Sequence, residues 1–161
     1  MSFKVAGVVS GEEPFVEVDD YVPLTVQWPG YSRLHDAPKC LMLDVGTSLI
    51  EVKLNGGTGE VVEIILVDAG RLEFVDIPLP RPGTIELGIP LLSFAESSGS
   101  HEMGRVSLHS DGLRICLEGG ASGKAVGGDG VLFRISDQGS LLEVDVTLNS
   151  SSLARMRQLC R

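Results

Sequence analysis

Residues 119–130 read GGASGKAVGGDG, and half of them are glycine, with Lys124 in their midst. A glycine-rich turn carrying a lysine is the composition that cradles phosphate, because closely approaching backbone N–H groups and a helix N-terminus favour an anion. The full pattern is GxxxxGK followed by Ser or Thr, whose hydroxyl ligates magnesium. Here Gly123 and Lys124 are followed by Ala125, and the place of the leading glycine is taken by Glu118. The downstream VLFRIS alternates like a strand and does not continue as a helix. The pattern fails at three points, and the dinucleotide fingerprint fails for want of the same helix. The stretch therefore reads as a loop joining strands at 112–118 and 131–136.

Other chemistry meets similar obstacles. A nucleophilic Ser or Cys needs a base, yet His35, His101 and His109 are scattered, and no GxSxG elbow occurs. SGSHEMG at 98–104 groups Ser, His and Glu in one loop, whereas catalytic triads are assembled from separate elements. His101-Glu102 has no second His at helical spacing, and Cys40, Cys116 and Cys160 are too far apart for a zinc pair or a CxxC motif. The three cysteines read as reduced, small apolar residues. No catalytic residue, metal or cofactor is expected.

Two stretches have the composition of a binding surface. EEPFVEVDD at 12–20 sets Glu12, Glu13, Glu17, Asp19 and Asp20 within nine residues. Such a run is either a charged edge strand that resists aggregation or a partner site. WPGYSRLHD at 28–36 places Tyr31 and Arg33 beside a Pro-Gly turn, and both are residue types enriched at interface hot spots. Trp28 continues the apolar face of Leu24 and Val26, so it serves either the core or the interface.

The elements that must hold these residues are strands. Leu24 and Val26; Ile50, Val52 and Leu54; Leu113, Ile115 and Leu117; and Leu142, Val144, Val146 and Leu148 each alternate with polar residues, the period of a sheet with one buried and one wet face. VVEIILV at 61–67 is apolar on both faces and belongs at the centre of a sheet. Turn residues at 46–47, 55–60, 68–70, 110–112 and 137–139 separate strand-like runs, so consecutive strands should pair antiparallel. PLPRPG at 78–83 is extended and outside any ladder, since proline lacks the N–H donor. AESSGSHEMG at 95–104 is small and polar and reads as a loop. Only the tail is helical. Asn149 and the following serines offer an N-cap, and Leu153, Met156, Leu159 and Cys160 recur at helical spacing. The expected fold is a mainly β single domain over 1–161: an antiparallel β-sandwich or open barrel of about ten strands with one C-terminal α-helix.

The chain has 161 residues and a formal net charge of −9. Residues 1–80 carry 5 Lys and Arg against 13 Asp and Glu, while residues 81–161 carry 8 against 9, so the acidity belongs to the first half. That balance disfavours nucleic acid and favours a basic protein partner. The longest apolar run is far short of the ~20 residues of a membrane helix, and the opening MSFKVAGVVSGEEPF is too short for a signal-peptide core. A cytoplasmic protein with no membrane partner is expected.

SLIEVKLNGGTGEVVEIILVDAGRL at 48–72 resembles a hairpin found in small bacterial immunity proteins of polymorphic and contact-dependent toxin systems. The resemblance covers about 25 residues, at 48–72. It implies an acidic, non-enzymatic cytoplasmic protein that binds and blocks a toxin domain, often a nuclease, and it transfers no individual site residue. Two other readings fit the same composition: a β-barrel or sandwich that carries a small ligand or an unrecognised active site, and an assembly subunit that uses exposed strand edges.

Overall fold

The computed structural model describes residues 2–95, 100–101 and 104–160. Its first half runs through β1 (Ser2–Val9), β2 (Phe15–Glu17), β3 (Leu24–Gln27), a 3-10 turn over Pro29–Arg33, β4 (Lys39–Val45), β5 (Ser48–Leu54) and β6 (Val61–Asp68). Then follow β7 (Glu73–Phe74), β8 (Ile85–Leu87), β9 (Ile89–Ala95), β10 (Ser100–His101), β11 (Arg105–Leu108) and β12 (Gly112–Cys116). The chain ends with β13 (Lys124–Gly127), β14 (Val131–Ile135), β15 (Leu141–Thr147) and the helix α1 (Ser150–Leu159).

These strands form two large sheets and a ribbon. One sheet has six strands in the order β10-β4-β5-β6-β3-β2, the other seven in the order β7-β11-β12-β15-β14-β13-β8, and β1 pairs with β9. Isolated bridges from Lys4 to Ser140 and from Glu60 to Leu91 tie the ribbon to both sheets. Among the described residues, the result is a sandwich-like, mostly β fold with one α-helix and no closed barrel. Among the described residues, no helix is long and apolar enough to cross a membrane.

The apolar faces read from period-two alternation meet in the middle. Leu24, Val26, Ile50 and Val52 of one sheet and Ile115, Phe133, Val144 and Val146 of the other belong to one buried cluster. Each such side chain contributes roughly 1.5–3 kcal/mol by leaving water. Trp28 joins them: it is buried, and its ring lies 5.9 Å from that of Phe133. Trp28 is a core residue. Packing between the layers is tight, with a void of only about 20 Å³ where Phe3, Leu43 and Ile115 meet.

The turn chemistry explains the hairpins. Between β5 and β6 the Asn55 side chain accepts from the N–H groups of Gly57 and Thr58, and Asn55 N–H donates to the Glu60 carbonyl. VVEIILV forms β6, which lies between β5 and β3 as its two-faced apolarity requires. At the tail, Asn149 Oδ1 accepts from Ser152 N–H at 2.8 Å, capping α1, while Leu153 and Met156 are buried.

Several expectations are corrected. The sheets hold more than about ten strands, because β2, β7, β8 and β10 are edge pieces of two or three residues too short to show a period. Three edge pairs are parallel, namely β10 with β4, β11 with β7 and β13 with β8, since in none of them are the two strands consecutive and joined by a hairpin. The turn at 68–70 is a crossing between layers: Gly70, at φ 57°, sends the chain into the seven-stranded sheet, and a Cβ there would sit 2.1 Å from the Thr47 carbonyl oxygen.

GGASGKAVGGDG is a loop only over its first five residues. Lys124–Gly127 is the strand β13, paired to β14 and β8, and Gly128–Gly130 make the turn that follows. Glycine and alanine disguise a strand whose small side chains are largely buried. In 95–104, Ser100 and His101 pair with β4, while 96–99 and 102–103 fall outside the described residues, so Ser98 and Glu102 of the Ser/His/Glu grouping do too. PLPRPG is extended and unpaired, as its prolines dictate.

Candidate functional site

Because β2 to β6 all come from residues 15–68, the acidic half of the chain becomes one layer of the sandwich. Its outer face follows from the register. Phe15, Gln27, Glu63, Lys53 and Cys40 lie in one row across the strands, and Glu17, Thr25, Ile65, Glu51 and Met42 lie in the next. With Asp44, also outward on β4, four carboxylates share this face with one ammonium. Phe15 and Met42 remain exposed on it.

At the centre of the face is an ordered charge network. Lys53 Nζ lies 2.7 Å from Glu63 Oε1 and 3.3 Å from Glu51 Oε1, and Gln27 Nε2 donates to Glu63 Oε2 at 2.6 Å. The Tyr31 ring stands 5.4 Å from the same ammonium, in cation–π range. Burial opposes the charged lysine, but the hydrogen bonds and charges of Glu63 and then Glu51 outweigh it and hold Lys53 well above the usual lysine range. Glu63 is only 4% exposed although it points away from the core. The wet face expected from alternation is therefore dry at its centre.

The two stretches singled out by composition converge here, because β2 pairs with β3 and the 3-10 turn follows β3 directly. Glu17 is exposed on edge strand β2, and Tyr31 covers one corner of the face. Arg33 meets Glu12 at 3.4 Å, but both side chains are about 70% exposed, so solvent screens that pair to little net stability. The remaining acids turn elsewhere. Asp20 binds Arg155 of α1 at 3.1 Å, and Asp19 Oδ1 accepts from Tyr21 N–H, holding out a Tyr21 that is 93% exposed. The Glu13 carboxylate accepts from Asp129 N–H at 3.0 Å and Gly130 N–H at 3.3 Å, fastening the β1–β2 crossing to the β13–β14 turn.

Sequence reasoning missed Glu51, Lys53, Glu63 and Gln27. The signal available was the outward half of the very alternation that placed the core. It also missed a second network on the other layer. Arg114 holds Asp145 by two hydrogen bonds of 2.7 and 2.9 Å, Arg134 Nε reaches Asp145 Oδ2 at 2.9 Å, and Arg114 lies 2.9 Å from Glu143. Arg134 also donates to the Pro80 carbonyl of the proline-rich strap. Hydrogen bonding to Asp145 raises Arg114 above its ordinary value. Two guanidinium groups balance two carboxylates, so this layer presents no net field of its own from that cluster. Ser107 Oγ and His109 Nε2 lie 3.1 Å apart, both buried, and His109 Nδ1 has no partner.

Among the described residues, no group of three His, Cys, Asp or Glu side chains is placed to hold a metal ion. No protein-family model and no curated protein matches the chain.

Proposed function

We propose that this protein is a non-enzymatic acidic binding protein of the immunity type, which covers the functional surface of a basic toxin domain such as a nuclease in the bacterial cytoplasm. The observation that carries the reading is the gathering of the acidic half of the chain into one layer. Its outer face combines four carboxylates, one ammonium and exposed Phe15 and Met42. Carboxylates steer a cationic partner, while exposed apolar side chains supply the area that a complex needs to persist. The network around Lys53 fixes Glu51 and Glu63 before binding, which lowers the ordering cost of the interface. The hairpin at 48–72, which resembles those of immunity proteins, forms the middle of this same face. Glu12, Glu17, Tyr31 and Arg33 flank it and belong to the proposed contact. Glu13, Asp19 and Asp20 contribute charge to the field while being held in local contacts.

The test is co-expression with the product of the adjacent upstream reading frame, followed by gel filtration at low and high salt. The expected result is a stoichiometric complex that suppresses the neighbour's toxicity and whose association rate falls by about tenfold or more with added salt. A neighbour that is harmless alone and forms no complex overturns the reading, and association indifferent to salt removes its electrostatic basis.

A further inference from the structure

The segment between β7 and β8 crosses the outer face of the seven-stranded sheet as an anchored strap. Leu79 N–H donates to Asp111 Oδ1 at 2.8 Å, and the Pro80 carbonyl accepts from Arg134. Leu79 is seated over Gly112, where a Cβ would lie 2.6 Å from Leu79 Cδ1. Pro80 and Pro82 fix φ and lack N–H donors, so the strap cannot lie down as a ladder strand and rejoins the sheet edge at β8. Between the strap and the sheet is a cavity of about 140 Å³. Its apolar wall is Pro80 and Pro82 of the strap, Ile85 of β8, 37% exposed, and the half-buried Leu132 of β14.

The charges on the lining define what the cavity can hold. Asp145 forms a buried floor, and three hydrogen bonds from Arg114 and Arg134 answer its charge. Three other charged groups line the space: Asp111 of the β11–β12 turn, Asp129 of the β13–β14 turn and Arg81 of the strap. Asp111 gives one oxygen to Leu79 and keeps the other for a ligand. Among the described residues, the side chains of Asp129 and Arg81 have no partner. A simple amine is repelled by Arg81 and a simple acid by the carboxylates, whereas a zwitterion answers both signs. The volume is close to the ~150 Å³ that admits one benzene molecule, room for a body of about six carbons. We infer that this cavity is a binding site for a small aliphatic amino acid. Its ammonium lies on Asp111 and Asp129, its carboxylate on Arg81, and its side chain against Leu132, Ile85 and the two prolines. The strap is anchored before binding, which lowers the ordering cost. The site is on the opposite layer from the acidic face and is independent of the partner reading.

Leucine is the probe. The isotope-labelled full chain is titrated with leucine, with isocaproate, which lacks the ammonium, and with isoamylamine, which lacks the carboxylate. Leucine is expected to give saturable shifts of the amide resonances of Arg81, Gly128, Asp129 and Leu132, with a dissociation constant of about 1 mM, the range open to so small a ligand. Each analogue should bind about fivefold more weakly or worse, the worth of one partly exposed ion pair. Arg81→Gln and Asp129→Asn, both at exposed positions, should each weaken leucine by about fivefold and leave thermal unfolding unchanged. Arg81→Gln should not weaken isoamylamine, which has no carboxylate to lose. Shifts that do not saturate, or that centre on other residues, overturn the site. Analogues bound as tightly as leucine, or wild-type affinity in both variants, overturn the choice of a zwitterion.

Discussion

Replacing Lys53 by methionine keeps the length and apolar stem of the side chain and deletes the ammonium that Glu51 and Glu63 share. Glu63 has a side chain only 6% exposed, so it cannot turn to water for its lost partner. Gln27 still donates to one of its oxygens, and Glu51, 22% exposed, is partly hydrated. Removing one member of a buried pair costs about 3–5 kcal/mol, and the surviving hydrogen bond and partial hydration place this case near 3 kcal/mol. For a chain of this size that is a fall of roughly 6–12 °C in melting temperature. The double variant Lys53→Met, Glu63→Gln replaces the stranded carboxylate by a neutral amide of the same shape, and about half or more of the loss should return. Thermal and urea unfolding followed by circular dichroism measure both. The lysine is held above its unfolded value of about 10.4, so its contribution is complete below that pH and is lost only as pH climbs through the folded value. The difference between wild type and Lys53→Met should therefore stay constant from about pH 7 to about pH 10 and shrink above it. A single variant that melts within about 2 °C of wild type, or a double variant no more stable than the single, would refute the idea of a dry, coupled network.

Asp145→Asn leaves Arg134 buried without its carboxylate and should cost about 3 kcal/mol in urea unfolding, and a cost under about 1 kcal/mol would show that the Pro80 carbonyl alone satisfies that guanidinium. Asn149→Ala removes the acceptor that caps α1 and should lower stability by about 1 kcal/mol, read as a melting shift of a few degrees, with unchanged melting assigning the cap no role. Thiol labelling at neutral pH should show one fast cysteine, the exposed Cys40, and two slow ones. Burial pushes the thiols of Cys116 and Cys160 up and withholds the reactive thiolate, so fast labelling of either would contradict their placement.

Local chemistry was legible in the sequence alone. Alternation located the inward residues of β3, β5, β12 and β15, and Asn149 marked the start of α1 through a hydrogen bond to its own next turn. These signals depend on neighbours a few residues away, which the chain order contains. The short edge strands left no trace, because two or three residues cannot display a period of two. β13 was hidden for another reason: glycine and alanine carry too little side chain to reveal a buried face.

The candidate site was half visible. Composition picked out 12–20 and 28–36, and the pairing of Phe15–Glu17 with Thr25–Gln27 brought them together on one sheet. What each acid does was decided by contacts across the fold. Glu13 is fastened to amides more than a hundred residues away, and Asp20 is held by Arg155 of α1. Glu12 meets only the exposed Arg33 of the 3-10 turn among the contacts of the described residues. The alternating pattern assigns Asp145 to a solvent face, and Glu63 is a lone charge in a run that is otherwise apolar, yet each is buried, because its neighbours on adjacent strands are long cationic side chains that lie over it. A carboxylate's environment is set by the strands beside it and the segments that cross it. Sequence therefore determined the strands, the turns and the capped helix, whose causes are local. Strand order and register alone decided that the acidic half becomes one face and which of its charges are free.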